Sequence, residues 1–168
     1  TIVVINPKPQ ATTIIANTTI CAGDSVQLTA GGGLTFQWYP LTGLSDAGIL
    51  NPKAAPVEST TYSAIVTNQY GCVDTAFVLV NVVQKPVANA GQDKIILQGQ
   101  QVQLNGSIND SGNSFTWSPV TFIDNINSLQ PFVNPPNDLE FILKATSNFG
   151  CGISSDTVFV KVYKDIFV

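Results

Sequence analysis

Apolar and polar positions alternate along this chain in short runs. Val26/Leu28, Phe36/Trp38, Tyr62/Ala64/Val66 and Val78/Val80/Val82 each sit every second residue, between mostly polar or small neighbours. That period of two is the signature of a strand with one face buried, and no stretch sustains a helical period. Turn chemistry separates the runs: Ala30-Gly-Gly-Gly33, Asn105-Gly106, Asp110-Ser-Gly112 and Pro135-Pro136-Asn137.

The pattern then comes a second time. Trp38 and Trp117, Pro40 and Pro119, Pro52 and Pro131, Tyr62 and Phe141, and Cys72 and Cys151 are all 79 residues apart. Val102/Leu104, Phe115/Trp117, Phe141/Leu143/Ala145 and Val158/Val160/Val162 repeat the strand phases. Two small antiparallel β-sandwiches of immunoglobulin type are expected, about seven short strands in each. The expected boundaries are a residual last strand and linker of a preceding repeat over 1–8, a first domain over 9–84 and a second over 85–168. Gln84-Lys85-Pro86 marks the junction, because proline cannot extend a ladder. The start, Thr1 to Pro7, resembles the last strand of such a domain, which suggests an interior piece of a longer protein.

Composition narrows the chemistry. Charged residues are only 11% of the 168, the net charge is −4, all seven basic residues are lysine, and there is no histidine. A nucleic-acid interface needs a basic patch, and histidine-based catalysis or zinc ligation needs imidazole. Apolar runs are far too short to insert in a bilayer. The eleven Asp and Glu are scattered over loops rather than paired around a cleft, so a glycosidase-type carboxylate pair is not expected. Asp74 and Asp156 open equivalent strands and read as turn or edge solubilisation.

The three cysteines cannot all pair. Cys21 and Cys72 are expected to bridge within the first copy, closing a loop of about 50 residues at a gain of roughly 4 kcal/mol. The second copy has Leu97 in place of Cys21, so Leu97 is expected to replace the bridge by packing and Cys151 to be the free thiol. Trp38 and Trp117 are in phase with Phe36 and Phe115 and belong to the core. Better candidates for stacking on a ligand are Tyr39, Tyr70, Phe122, Phe132 and Phe149, which fall on loops or strand ends. No metal centre is expected, although Asp93, Asn105, Asn109 and Asp110 flank neighbouring loops and are the candidate calcium ligands.

The segment TFQWYPLTGLSDAGILNPKAAPVESTTYSAIVTNQYGC resembles the PKD-like (polycystic-kidney-disease type) repeats found in tandem on large secreted proteins of gliding Bacteroidetes. The second copy opens ANAGQDKIILQGQQVQLNGS and keeps WSP, NPP and FGC, but lacks the W-D-F-G-D-G hallmark of standard PKD domains. VYKDIFV at the end resembles the lead-in to a type IX secretion sorting region. The resemblance implies a non-catalytic structural or interaction module of an extracellular or cell-surface adhesin-like protein connected with gliding motility. It would space or display other domains as a monomer, with neighbouring repeats and a polysaccharide or surface as partners and no cofactor. The alternative is an accessory carbohydrate-binding module of a secreted polysaccharide-degrading enzyme.

Overall fold

The computed structural model describes residues 5–110 and 112–164. Its contacts divide the chain into two compact units, Thr1–Gln84 and Lys85–Val168. The proposed leftover strand at 1–7 and the sorting-region resemblance at 162–168 fall largely outside the described residues, and residues 5–7 form no strand.

In the first unit the long alternating runs become β7 (Thr60–Thr67) and β8 (Val73–Val83), paired antiparallel. β5 (Thr35–Tyr39) borders β7, and β2 (Asn17–Cys21) borders β8, giving a four-stranded sheet in the order β2-β8-β7-β5. Two short antiparallel pairs lie opposite: β1 (Thr12–Thr13) with β4 (Ala30–Gly31), and β3 (Val26–Gln27) with β6 (Lys53–Ala54). Period-two alternation sends Trp38, Tyr62, Ala64, Val66, Val78 and Val80 inward, where they are sealed together with Leu28.

The second unit repeats the plan. β9 (Ala88–Asn89) pairs β12 (Ser107–Ile108), and β11 (Val102–Gln103) pairs β14 (Phe132–Val133). Facing them is the sheet β10 (Lys94–Leu97), β16 (Ile153–Tyr163), β15 (Leu139–Thr146), β13 (Ser114–Ser118). Its core is Trp117, Phe141, Leu143, Val158 and Val160 with Leu104 and Val133. Both tryptophans are in the cores, as their phase implied. Each indole N–H donates to a carbonyl of the following loop, Trp38 to Ile49 (3.0 Å) and Trp117 to Ser128 (3.1 Å). A buried indole N–H left without an acceptor would cost about 1–3 kcal/mol. No helix occurs among the described residues.

One pairing changes the reading of the cysteines. β2 runs parallel to β8, with Asn17 beside Leu79 and Cys21 beside Val83. The Ala22 N–H donates to the Val83 carbonyl (2.9 Å), which fixes Cys21 at the trailing end of β8. Cys72 sits at the other end, just before Val73. Eleven residues of strand separate the two, roughly 35 Å at ~3.3 Å per residue, whereas a disulfide needs Cα atoms within about 7 Å. The expected Cys21–Cys72 bridge is therefore not formed. Cys72 carries the free thiol, and Cys21 and Cys151 are in the disulfide form, so Cys151 is not the free one. Leu97 does not substitute by packing either: it is 49% exposed and pairs through its backbone with Tyr163.

Candidate functional site

Each unit has a leading end, where the chain arrives, and a trailing end, where its last strand departs. At the leading end of the first unit, Asp74 holds the arriving chain. Its Oδ2 accepts the Ala11 N–H (2.9 Å), and Lys8 Nζ lies 2.6 Å from its Oδ1. Asn68 completes the anchor: its amide donates to the Pro7 carbonyl (2.7 Å), while its Oδ1 accepts the N–H groups of Tyr70 and Cys72. The second unit uses equivalent means. Asp156 accepts the Ala90 N–H (2.8 Å), Ser154 Oγ accepts that of Ala88 (3.1 Å), and Asn109 binds both Lys85 and Val87. Asp74 and Asp156 are thus structural anchors rather than edge solubilisers. Their phase carries the signal, since Asp74 falls in step with inward-facing Ala76 and Val78.

The side-chain hydrogen bond with Lys8, reinforced by the Ala11 N–H, holds the Asp74 carboxyl below its ordinary value. A lowered folded value means the group stabilises the first unit above the unfolded carboxylate range near pH 4, and that contribution vanishes as pH falls through the folded value. Urea midpoints of the first unit, followed by its amide NMR signals, should therefore drop as pH falls below about 4. Asp74→Asn should flatten that part of the profile. An unchanged profile in Asp74→Asn would remove the anchor role.

An open cavity of about 470 Å³ lies beside this anchor, lined by Pro7, Lys8, Pro9, Gly32, Gly33, Leu34, Asn68, Gln69 and Tyr70. Asn68 and Lys8 are already engaged within the unit, which leaves the Tyr70 ring, Leu34 and Gln69 as its exposed lining.

The candidate calcium ligands are spread out. Asp93 Oδ1 accepts the Phe159 N–H, whereas Asn109 binds Val87 and Lys85 at the leading end and Asp110 closes its own turn on Gly112. Ala88, next to the Asn109 anchor, meets Ser154, five residues along β16 from Phe159 and thus roughly 17 Å away. Asn105 packs its Cβ near Gly91. Among the described residues no three Cys, Asp or Glu side chains converge.

The five candidate aromatics are all at least partly exposed, and the structure scatters most of them. Tyr39 lies on the outer face of β5, Tyr70 in the leading-end cavity, and Phe149 in the turn before β16. Phe122 and Phe132 do come together. Ile123 bridges Val133, the Asn134 N–H donates to the Phe122 carbonyl, and Asp124 exchanges hydrogen bonds with Phe132. Val133 is buried, whereas Phe122 and Phe132 are both exposed on these paired segments. Phe122 also has φ 66°, a left-handed conformation, and is the one described non-glycine residue with positive φ. The 79-residue shift places Gly43, with φ 76°, at the same position of the first unit. A bulky side chain held there costs about 1–2 kcal/mol relative to a right-handed conformation.

No protein-family model matches the sequence, and no curated protein matches it either. Solved structures do. The chain is similar to the insect immune protein hemolin over 92% of its own length and 47% of that chain, with a TM-score of 0.59 at 14% identity. It is similar to the titin I-band fragment I67–I69 over 92% of this chain and 66% of that one, TM-score 0.62 at 12% identity. It is also similar to the DIP-gamma IG1+IG2 pair over 94% and 98%, TM-score 0.62 at 11% identity. It therefore spans about half of the hemolin chain and just under two thirds of the titin fragment. At these identities the likeness speaks for the fold alone: the chain carries two immunoglobulin-like β-sandwich domains in series.

Proposed function

We propose that the chain is a non-catalytic spacing and display segment of a large extracellular or cell-surface adhesin-like protein, acting as a monomer within an array of similar domains. The observation that carries this reading is a pair of self-contained cores with only residues 84–87 between the last strand of one unit and the first of the next. A series of such units sets distance by geometry and needs no chemistry of its own. Cysteines in the disulfide form fit an oxidising compartment outside the cytosol. The sequence resemblance to PKD-like repeats supports secretion through a type IX route and a part in gliding motility.

The strained Phe122 beside Phe132 favours a second reading, an accessory carbohydrate-binding module of a secreted polysaccharide-degrading enzyme. Exposed aromatic rings on two paired segments suit stacking against sugar faces, and backbone strain kept at an exposed aromatic points to a function for it. Retention of the chain on a panel of insoluble polysaccharides, with and without calcium, separates the two. The spacer reading expects no retention beyond weak, unselective adhesion. The binding-module reading expects retention on one polymer, reduced at least about ten-fold (~1.4 kcal/mol) by Phe122→Gly. In either case Phe122→Gly should stabilise the second unit by about 0.5–1 kcal/mol, the left-handed penalty less the extra entropy of glycine. Loss of retention would then not be an unfolding artefact.

A further inference from the structure

The free thiol of Cys72 has a counterpart whose state is known. Cys151 occupies the same place in the second unit, after a glycine of positive φ (Gly71 at 77°, Gly150 at 78°) and just before the long last strand. Cys151 is in the disulfide form and 5% exposed, while Cys72 is reduced and only half-buried. The second unit thus serves as an internal comparison, in which this position is a disulfide half. The other oxidised cysteine, Cys21, belongs to the opposite end, beside Val83 on the last strand before residues 84–87. The chain therefore oxidises one cysteine of each kind, a trailing-end and a leading-end cysteine, and leaves a leading-end cysteine over.

We propose that Cys72 is an acceptor site for an intermolecular or inter-repeat disulfide, and that its partner is a trailing-end cysteine of the Cys21 type on another domain of this kind. The surroundings suit it. Cys72 is only half-buried, and nothing stands within 4 Å of where a Cβ on the preceding Gly71 would project, so the approach on that side is open. Leu34, exposed on the rim of the leading-end cavity, aligns with Asn113, which is buried in the second unit together with Ser147 and Cys151.

The bond forms by thiol–disulfide exchange with a small-molecule or protein disulfide as oxidant. The Cys72 thiolate attacks one sulfur of that disulfide, forming a mixed disulfide and expelling one thiolate. The partner thiolate then attacks the Cys72 sulfur and expels the second. Two protein thiols and one disulfide become one protein disulfide and two small thiols, with the electron pair carried off by the leaving groups.

This rests on the array reading above, but its test does not involve polysaccharide, so the two can fail separately. The chain, whose thiol is Cys72, is mixed in equal amounts with a Cys72→Ser/Cys151→Ala variant, whose one cysteine is Cys21. The mixture is equilibrated in a glutathione redox buffer. Tryptophan emission, from Trp38 in the first unit and Trp117 in the second, monitors folding of the variant, and Cys151→Val replaces Cys151→Ala if it fails to fold. Heterodimer linked Cys72 to Cys21, confirmed by peptide mapping, should exceed each homodimer about ten-fold. A statistical mixture, a dominant Cys72–Cys72 homodimer, or glutathione adducts alone would overturn the proposal.

Discussion

Trp38→Ala should unfold the first unit and leave the second folded. Trp38 is fully buried between the two sheets, and its N–H ties the loop at Ile49 to the core. Removing the ring empties the centre of a small sandwich and strands the Ile49 carbonyl, at an expected cost of about 3–5 kcal/mol. A domain of this size has little more than that to lose, since so small a chain buries a modest share of its surface. The second unit has its own core, built around Trp117. In the variant Trp117 is the sole tryptophan, so its fluorescence reports that unit without interference. Calorimetry should show one transition lost, and native-like Trp117 emission should persist. Loss of both transitions together would mean that the cores are not independent.

Gly32→Ala should cost about 3 kcal/mol, far more than a loop glycine usually does. Gly32 has φ 98°, which a side chain rarely adopts, and a Cβ there would land on the Gln10 carbonyl oxygen, with the Gln10 carbonyl carbon 2.7 Å away. A backbone neighbour cannot rotate aside as a side chain would. Relief would require moving residues 10–12 and breaking the β1–β4 pairing of Thr12 with Gly31. Gly71 supplies the control, because its φ is 77° but nothing lies within 4 Å of a Cβ. Gly71→Ala should lose only about 1 kcal/mol, from the left-handed backbone alone. Urea denaturation of both variants checks the contrast, and equal losses would show that φ rather than the Gln10 contact limits the loop.

The cores were legible because a sandwich buries alternate residues, and alternation is written into the sequence. Tyr62, Ala64 and Val66 are all sealed, and so are their counterparts Phe141, Leu143 and Ala145. The direction in which β2 joins its sheet was not legible. Asn17–Cys21 is short and largely polar, and hydrophobic phase says which face is buried but nothing about parallel or antiparallel pairing. Without the strand at Asn17–Cys21, Cys21 reads as lying just before the strand at 25–30, at the same end as Cys72, which leaves Cys151 as the free thiol.

Two further features escaped for related reasons. Asp74 looked like an edge carboxylate, yet its inward phase and the aligned Asp156 pointed to a shared task, holding the arriving backbone through Ala11 and Ala90. Phe122 reads from the sequence as a loop aromatic, and its alignment with Gly43 carries a further signal. A phenylalanine where the other copy keeps a positive-φ glycine announces a strained position.

In the first unit Cys21 and Cys72 lie at opposite ends, and Cys72 is the cysteine left reduced. Alkylation of the unreduced, denatured chain followed by peptide mapping tests this most directly. One modified cysteine per chain, found on the Cys72 peptide, is the predicted result. A Cys21–Cys72 linked peptide, or the label on Cys151, would contradict the parallel placement of β2 and with it the proposed acceptor role of Cys72.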